Sequence, residues 1–227
     1  MEFLLDTVHI PDIEKYNAII PLSGITSNPT ICKKEGPFEF FDHMRAIRKI
    51  IGLDKTLHVQ AVGQTTEAML ADAHTILREI DDQVYIKIPT NEAGLKAIKQ
   101  LKAENVHVTA TAIYTSFQGL LAIQAGADYI APYYNRMANM NIDATQVIAN
   151  FVSAIQRDHA QTKVLAASFH NVEQVTTALN TGAQAVTMGV DILKAGLGMP
   201  AIGQAVADFT SDWESNFGAG TTIASLS

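Results

Sequence analysis

Residues 84–90 read VYIKIPT, and how this stretch is read decides the fold. Side chains alternate along a β-strand, so Val84, Ile86 and Ile88 face one way while Tyr85, Lys87 and Pro89 face the other. The aliphatic set suits a layer packed under helices. The other set then points into the interior of a closed parallel sheet, and a lysine there needs a reason.

Working outward, Thr90 and Asn91 are good N-cap types, Glu92 falls in a first helical turn, and Leu95, Ile98 and Leu101 form an apolar stripe. The strand-then-helix pattern repeats. Eight short apolar runs alternate with helical segments: residues 3–8, 23–28, 57–62, 84–89, 107–112, 129–133, 163–168 and 185–189. Eight parallel strands with crossover helices close a (β/α)8 TIM barrel, so the sequence predicts an α/β fold of that architecture. The phrases AGADYI and TGAQAV before runs six and eight place Gly126 and Gly182 as left-handed helix caps. No long Pro/Gly/Ser-rich linker interrupts the series, so residues 1–227 are expected to form one domain. Beyond the eighth run, Pro200 opens an additional C-terminal helix over about 200–217, with Ile202, Val206, Phe209, Trp213 and Phe217 at helical spacing. Its apolar face suits either the chain's own barrel or a subunit contact.

Composition narrows the function. A net charge of −7 without a basic stripe argues against nucleic acid, and no apolar stretch approaches the ~20 residues that span a bilayer. The acidic, short apolar start MEFLLDTVHIPD does not read as a secretory signal, and the single Cys32 excludes an intrachain disulfide; a cytoplasmic location is expected. The seven histidines show no HExxH or other close ligand pattern, and neither GxGxxG nor GxxxxGK[ST] occurs. His58 and His107 begin strands at the non-catalytic end and read as structural, and Cys32 reads as a small packed residue.

Catalytic groups of such barrels come from the carboxyl ends of the strands. Asp6, Thr26 with Asn28, Gln60, Lys87, Thr111, Tyr133 with Arg136, and Ser168 all fall there, one set from every run but the eighth. Taken singly, each has a plainer explanation as a cap, a strand-end hydroxyl or a rim ion pair. Lys87 is the lysine set in mid-strand. It is either paired with a carboxylate such as Asp6 or held as the neutral amine that attacks carbonyls, since burial disfavours the charged form. Imine chemistry is the stronger reading.

The segments LLDT, GITSNPTI, IKIPTNEAGLKAIKQLK, TATAIYTSFQGLLA, AGADYIAPYYNRM and KVLAASFHN extend over nearly the whole chain. In that order they resemble the small class I aldolases of the transaldolase family, most closely its fructose-6-phosphate aldolase branch. The resemblance implies that Lys87 is the Schiff-base lysine and Asp6 the carboxylate that handles hydroxyl protons. Thr26, Asn28 and Thr111 resemble the donor-binding and lysine-orienting set, and Arg136 and Ser168 the groups that hold the acceptor's phosphate. An arginine fork with a nearby hydroxyl suits a phosphate dianion. Transaldolases carry Glu on the third strand and Phe on the sixth where the fructose-6-phosphate aldolases carry Gln and Tyr; Gln60 and Tyr133 follow the second pattern.

The resemblance further implies reversible cleavage of fructose 6-phosphate to dihydroxyacetone and glyceraldehyde 3-phosphate, with no metal or organic cofactor, because the iminium is the electron sink. It implies sugar and sugar-phosphate substrates and a homo-oligomer, pentameric rings pairing into a decamer. Two alternatives stay open: a transaldolase that moves the dihydroxyacetone unit between sugar phosphates, and a non-catalytic sugar-phosphate-binding barrel.

Overall fold

The computed structural model describes residues 1–226. Its strands are β1 (Glu2–Asp6), β2 (Leu22–Thr26), β3 (Thr56–Gln60), β4 (Tyr85–Pro89), β5 (Val108–Ile113), β6 (Tyr129–Pro132), β7 (Lys163–Ala166) and β8 (Ala185–Met188). All pair in parallel with their sequence neighbours, and β8 returns to β1, closing the barrel. Each run read from the sequence overlaps one of these strands, with ends that agree to within two residues.

The helices are α1 (Ile10–Ile19), α2 (Pro29–Glu35), α3 (Phe40–Ile51), α4 (Thr66–Glu79), α5 (Glu92–Ala103), α6 (Ser116–Gln124), α7 (Tyr134–Asn139), α8 (Ala144–Arg157), α9 (Val172–Asn180), α10 (Val190–Leu197) and α11 (Pro200–Phe217). Local chemistry starts them. Asn91 Oδ1 accepts from the Gly94 amide at 2.8 Å and so caps α5, while Thr90 turns away and donates to the Thr111 carbonyl at 2.9 Å. Gly126 and Gly182 take φ of 85° and 107°, ending α6 and α9 in the left-handed region that glycine enters without a Cβ clash.

The strand alternation is as the pattern requires. Val84, Ile86 and Ile88 are fully buried in the layer between barrel and helices. Each such side chain stabilises the fold by about 1.5–3 kcal/mol. Tyr85 packs instead with Leu4, Tyr129, Leu165 and Ala185 in a separate cluster inside the barrel. His58 lies beside it, its ring stacked on Tyr85 at 4.8 Å, with Nδ1 2.8 Å from Thr109 Oγ1 and Nε2 2.9 Å from Thr56 Oγ1. This plug fills the amino-terminal half of the barrel. Lys87, one inward position further along β4, stands above it.

Two strand ends and the packing of one helix differ from or decide the sequence expectation. β6 stops at Pro132, and Tyr133 becomes the cap residue of α7 with φ −92° and ψ 88°. Its amide still reaches the Ile113 carbonyl at 3.0 Å, so the ring keeps a strand-end position without strand geometry. Ser168 sits beyond the end of β7 at φ 62°, a left-handed turn that a strand cannot contain. α11 spans the expected residues but buries none of them, and Phe209 is 71% exposed, so packing on its own barrel is not what this helix does.

Candidate active site

Lys87 is 5% exposed, and its Nζ donates to the Ser27 carbonyl at 2.7 Å. Among the described residues no carboxylate lies within ion-pair distance of it. The buried ion-pair alternative is therefore not formed. Burial pushes the amine below the ordinary lysine range, against a smaller upward pull from Asp6.

Asp6 ends β1 and accepts from Thr26 Oγ1 at 2.6 Å. Loss of hydration raises its carboxyl above the usual range, while Lys87, the Thr26 hydrogen bond, Lys34 and Arg136 pull it back. Both shifts run the same way chemically: the cavity favours a neutral amine and a protonated acid over a separated ion pair.

Tyr133 OH lies 2.9 Å from Thr111 Oγ1, and burial raises the phenol so that it keeps its proton. The Arg136 guanidinium stands over the Tyr133 ring, 4.6 Å from its centroid, and donates to Tyr114 OH at 3.2 Å. A cation so placed is orientated by an aromatic face and a single phenol, leaving further donors of its fork open. Asn28 caps α2 through Oδ1, which accepts from the Ile31 amide at 3.0 Å. Its amide nitrogen is left for other partners.

A cavity of about 150 Å³ is walled by Asp6, Thr26, Asn28, Lys87, Tyr133, Arg136 and Ser168. Seven of the nine candidate residues thus share one space. Thr111 is buried behind it and reaches it through Tyr133. Gln60 is the register partner of Lys87 on the neighbouring strand, yet its side chain lines two adjoining cavities and makes no hydrogen bond among the described residues. Register neighbours share a face, but a long flexible amide can turn off the common axis.

A larger space of about 540 Å³ opens beside Cys32, Phe40, Phe41 and Val59. Its aromatic and aliphatic wall is poorly matched to a polyhydroxylated substrate. The smaller cavity holds the convergent polar groups. It also includes Lys34, His170 and Thr187, which the strand-end reading passed over. For Thr187 the signal was present in AVTM, where alternation turns Val186 outward and Thr187 inward.

A closed parallel barrel whose carboxyl mouth gathers a buried lysine, a carboxyl and an arginine has the build of a TIM-barrel enzyme for small polar substrates. A family model described as transaldolase/fructose-6-phosphate aldolase matches residues 3–224, and the chain belongs to that family. It is 53% identical over 213 residues to a probable fructose-6-phosphate aldolase of Streptococcus pneumoniae (strain ATCC 700669 / Spain 23F-1). That match covers 94% of this chain and 96% of the relative. Membership makes the protein an enzyme of the aldolase–transaldolase kind, for which sugar phosphates are fitting substrates. No helix among the described residues is long and apolar enough to cross a membrane.

Proposed function

We propose that the protein is a class I aldolase that reversibly cleaves fructose 6-phosphate to dihydroxyacetone and glyceraldehyde 3-phosphate. The observation that carries this reading is Lys87: an amine 5% exposed, without a carboxylate partner, at the head of a cavity shared with Asp6 and Tyr133. Burial moves such an amine towards its neutral form, which is the nucleophile.

In the synthetic direction Lys87 Nζ adds to the dihydroxyacetone carbonyl, and loss of water gives an iminium that acidifies the adjacent carbon. Asp6, which carries its proton readily, assists the hydroxyl proton transfers. Removal of a proton from that carbon gives an enamine. A water held by Tyr133 and Thr111, and by Gln60 once its amide turns into this cavity, is the proton carrier. The enamine carbon bonds to the aldehyde carbon of glyceraldehyde 3-phosphate, the alkoxide takes a proton, and hydrolysis of the imine frees fructose 6-phosphate and the amine. Thr26 and Asn28 hold the donor, and Arg136 with Ser168 holds the phosphate. The imine is the electron sink, so the cycle runs without metal or organic cofactor.

A transaldolase shares the lysine chemistry but does not release free dihydroxyacetone. Incubation with fructose 6-phosphate alone separates the two. Free dihydroxyacetone is expected; turnover that starts only when erythrose 4-phosphate is added, with no free dihydroxyacetone, would make the protein a transaldolase. Borohydride reduction with dihydroxyacetone should leave a stable adduct on Lys87, whereas an unlabelled Lys87 would point to a binding protein.

We also propose that the protein works as a homo-oligomer, in pentameric rings or a decamer of two rings. The bare apolar face of α11, with Val206 60% and Phe209 71% exposed, supports a neighbour that covers it. Light scattering on the intact chain tests the assembly, and a monomer at micromolar concentration would rule it out.

A further inference from the structure

The sequence pattern sends a polar group to the mouth from every strand but β8, and the structure supplies the missing one. Thr187, 2% exposed, lines the Lys87 cavity, and its Oγ1 lies 2.6 Å from Thr26 Oγ1. Thr26 Oγ1 in turn donates to Asp6 Oδ1 at 2.6 Å. A threonine hydroxyl has one hydrogen. While Asp6 is ionised Thr26 gives its hydrogen to the carboxylate, so the bond between the two threonines is donated by Thr187.

We infer that Thr187 is a positioning residue: acting through Thr26, it fixes the direction of hydrogen bonding at Asp6 and leaves Oδ2 as the oxygen that exchanges a proton with substrate. The inference rests on the role proposed above for Asp6. In the ionised acid Oδ1 is thereby the accepting oxygen. Oδ2 has no protein hydrogen-bond partner among the described residues. Two buried hydroxyls in series also polarise one another, strengthening the bond to the carboxylate.

Other groups around Asp6 are fixed by neighbouring elements. Lys87 faces it from β4, Lys34 from α2, and Arg136 and Tyr133 from the β6–α7 corner, with His170 in the same cavity. On its other side a shallower cavity holds His9, Asp12, Glu35, Asp191 and Lys194, of which His9–Glu35 and Lys194–Asp12 pair at 3.1 and 3.4 Å. None of these touches Thr187 through a hydrogen bond.

The test is the titration of the Asp6 carboxyl by difference infrared spectroscopy, with D6N as the blank, in the intact protein and in T187V and T187S. Removing the Thr187 hydroxyl weakens the donor bond to the carboxylate, so T187V should raise the pKa of Asp6 by roughly 0.5 to 1, and T187S should restore it. In fructose 6-phosphate cleavage the limb of the pH profile set by Asp6 should move to higher pH by the same amount, with kcat falling more than KM changes. T26A with T187V should shift it no further than T26A alone. An unshifted Asp6 in T187V overturns the inference, as does a T187S shift equal to that of T187V, which would trace the effect to lost packing. A shift in T187V with no cleavage by the unaltered protein would sustain the Thr187 inference and sink the proposed function instead.

Discussion

The two ends of the barrel bury polar groups equally well and use them differently. At the amino-terminal end His58 has both ring nitrogens within 2.9 Å of threonine hydroxyls, and the Tyr129 hydroxyl donates to Glu2, which also meets Lys163. Burial holds the imidazole well below its ordinary pKa, so it stays neutral and its bonding is complete. At the carboxyl end, among the described residues, the side chain of Lys87 makes one hydrogen bond, that of Asp6 one, and that of Gln60 none. Saturated bonding gives a plug; unsaturated bonding leaves donors and acceptors for something that arrives later. Where polar groups are buried matters less than how many of their bonds the protein itself completes.

The largest test of that contrast is Lys87→Met. Cleavage of fructose 6-phosphate should fall about 10⁴-fold or more, because Lys34, the other amine lining the cavity, comes from α2 and does not occupy the inward position of β4. Thermodynamic stability at pH 7 should rise by about 1 to 3 kcal/mol, since a group that is costly to bury is replaced by an apolar one. The sign of the pH dependence is fixed. Lys87 has a lowered pKa in the folded protein, so between that value and the unfolded one the unfolded chain binds more protons and stability increases with pH. Denaturant titrations across that range should show the advantage of the methionine variant shrinking as pH rises.

Tyr133→Phe should reduce kcat about 100-fold with KM little changed, because it removes a proton donor and keeps the ring under Arg136. Unchanged cleavage would contradict the role given to the phenol. At the opposite end His58→Ala should behave in reverse. It strands Thr56 and Thr109 and opens a hole beside Tyr85, costing roughly 3 to 5 kcal/mol, while the surviving folded protein keeps kcat within about threefold. Loss of turnover without loss of stability there would erase the division between the two ends. The smallest expected effect is Asn91→Ala, about 1 kcal/mol from an absent cap on α5, read as a lower denaturation midpoint.

The fold was legible because its signals are local. Period-two alternation around Lys87 marked the inward face, and glycines at 126 and 182 marked helix ends through their φ values. Much of the cavity was legible for the same reason, since strand ends of a barrel necessarily converge. Three features were not. Gln60 shares register with Lys87 but turns its amide into adjoining cavities, a rotamer choice that alternation does not encode. Thr187 was legible as an inward residue of AVTM, but its 2.6 Å contact with Thr26, 161 positions away, was not. The exposure of α11 was undecided for a third reason: an amphipathic stripe states that a partner exists without stating which chain supplies it.

The contact between Lys87 and Ser27 carries a consequence for how the site tolerates mutation. The acceptor is a backbone carbonyl, and the turn that presents it is held by the Ser27 amide on the His58 carbonyl at 3.0 Å and by the Asn28 cap. A point substitution at position 27 changes a side chain and leaves that oxygen in the chain. The anchor of the amine is therefore inherited with the path of the β2–α2 turn, and sequence drift at its own position cannot delete it.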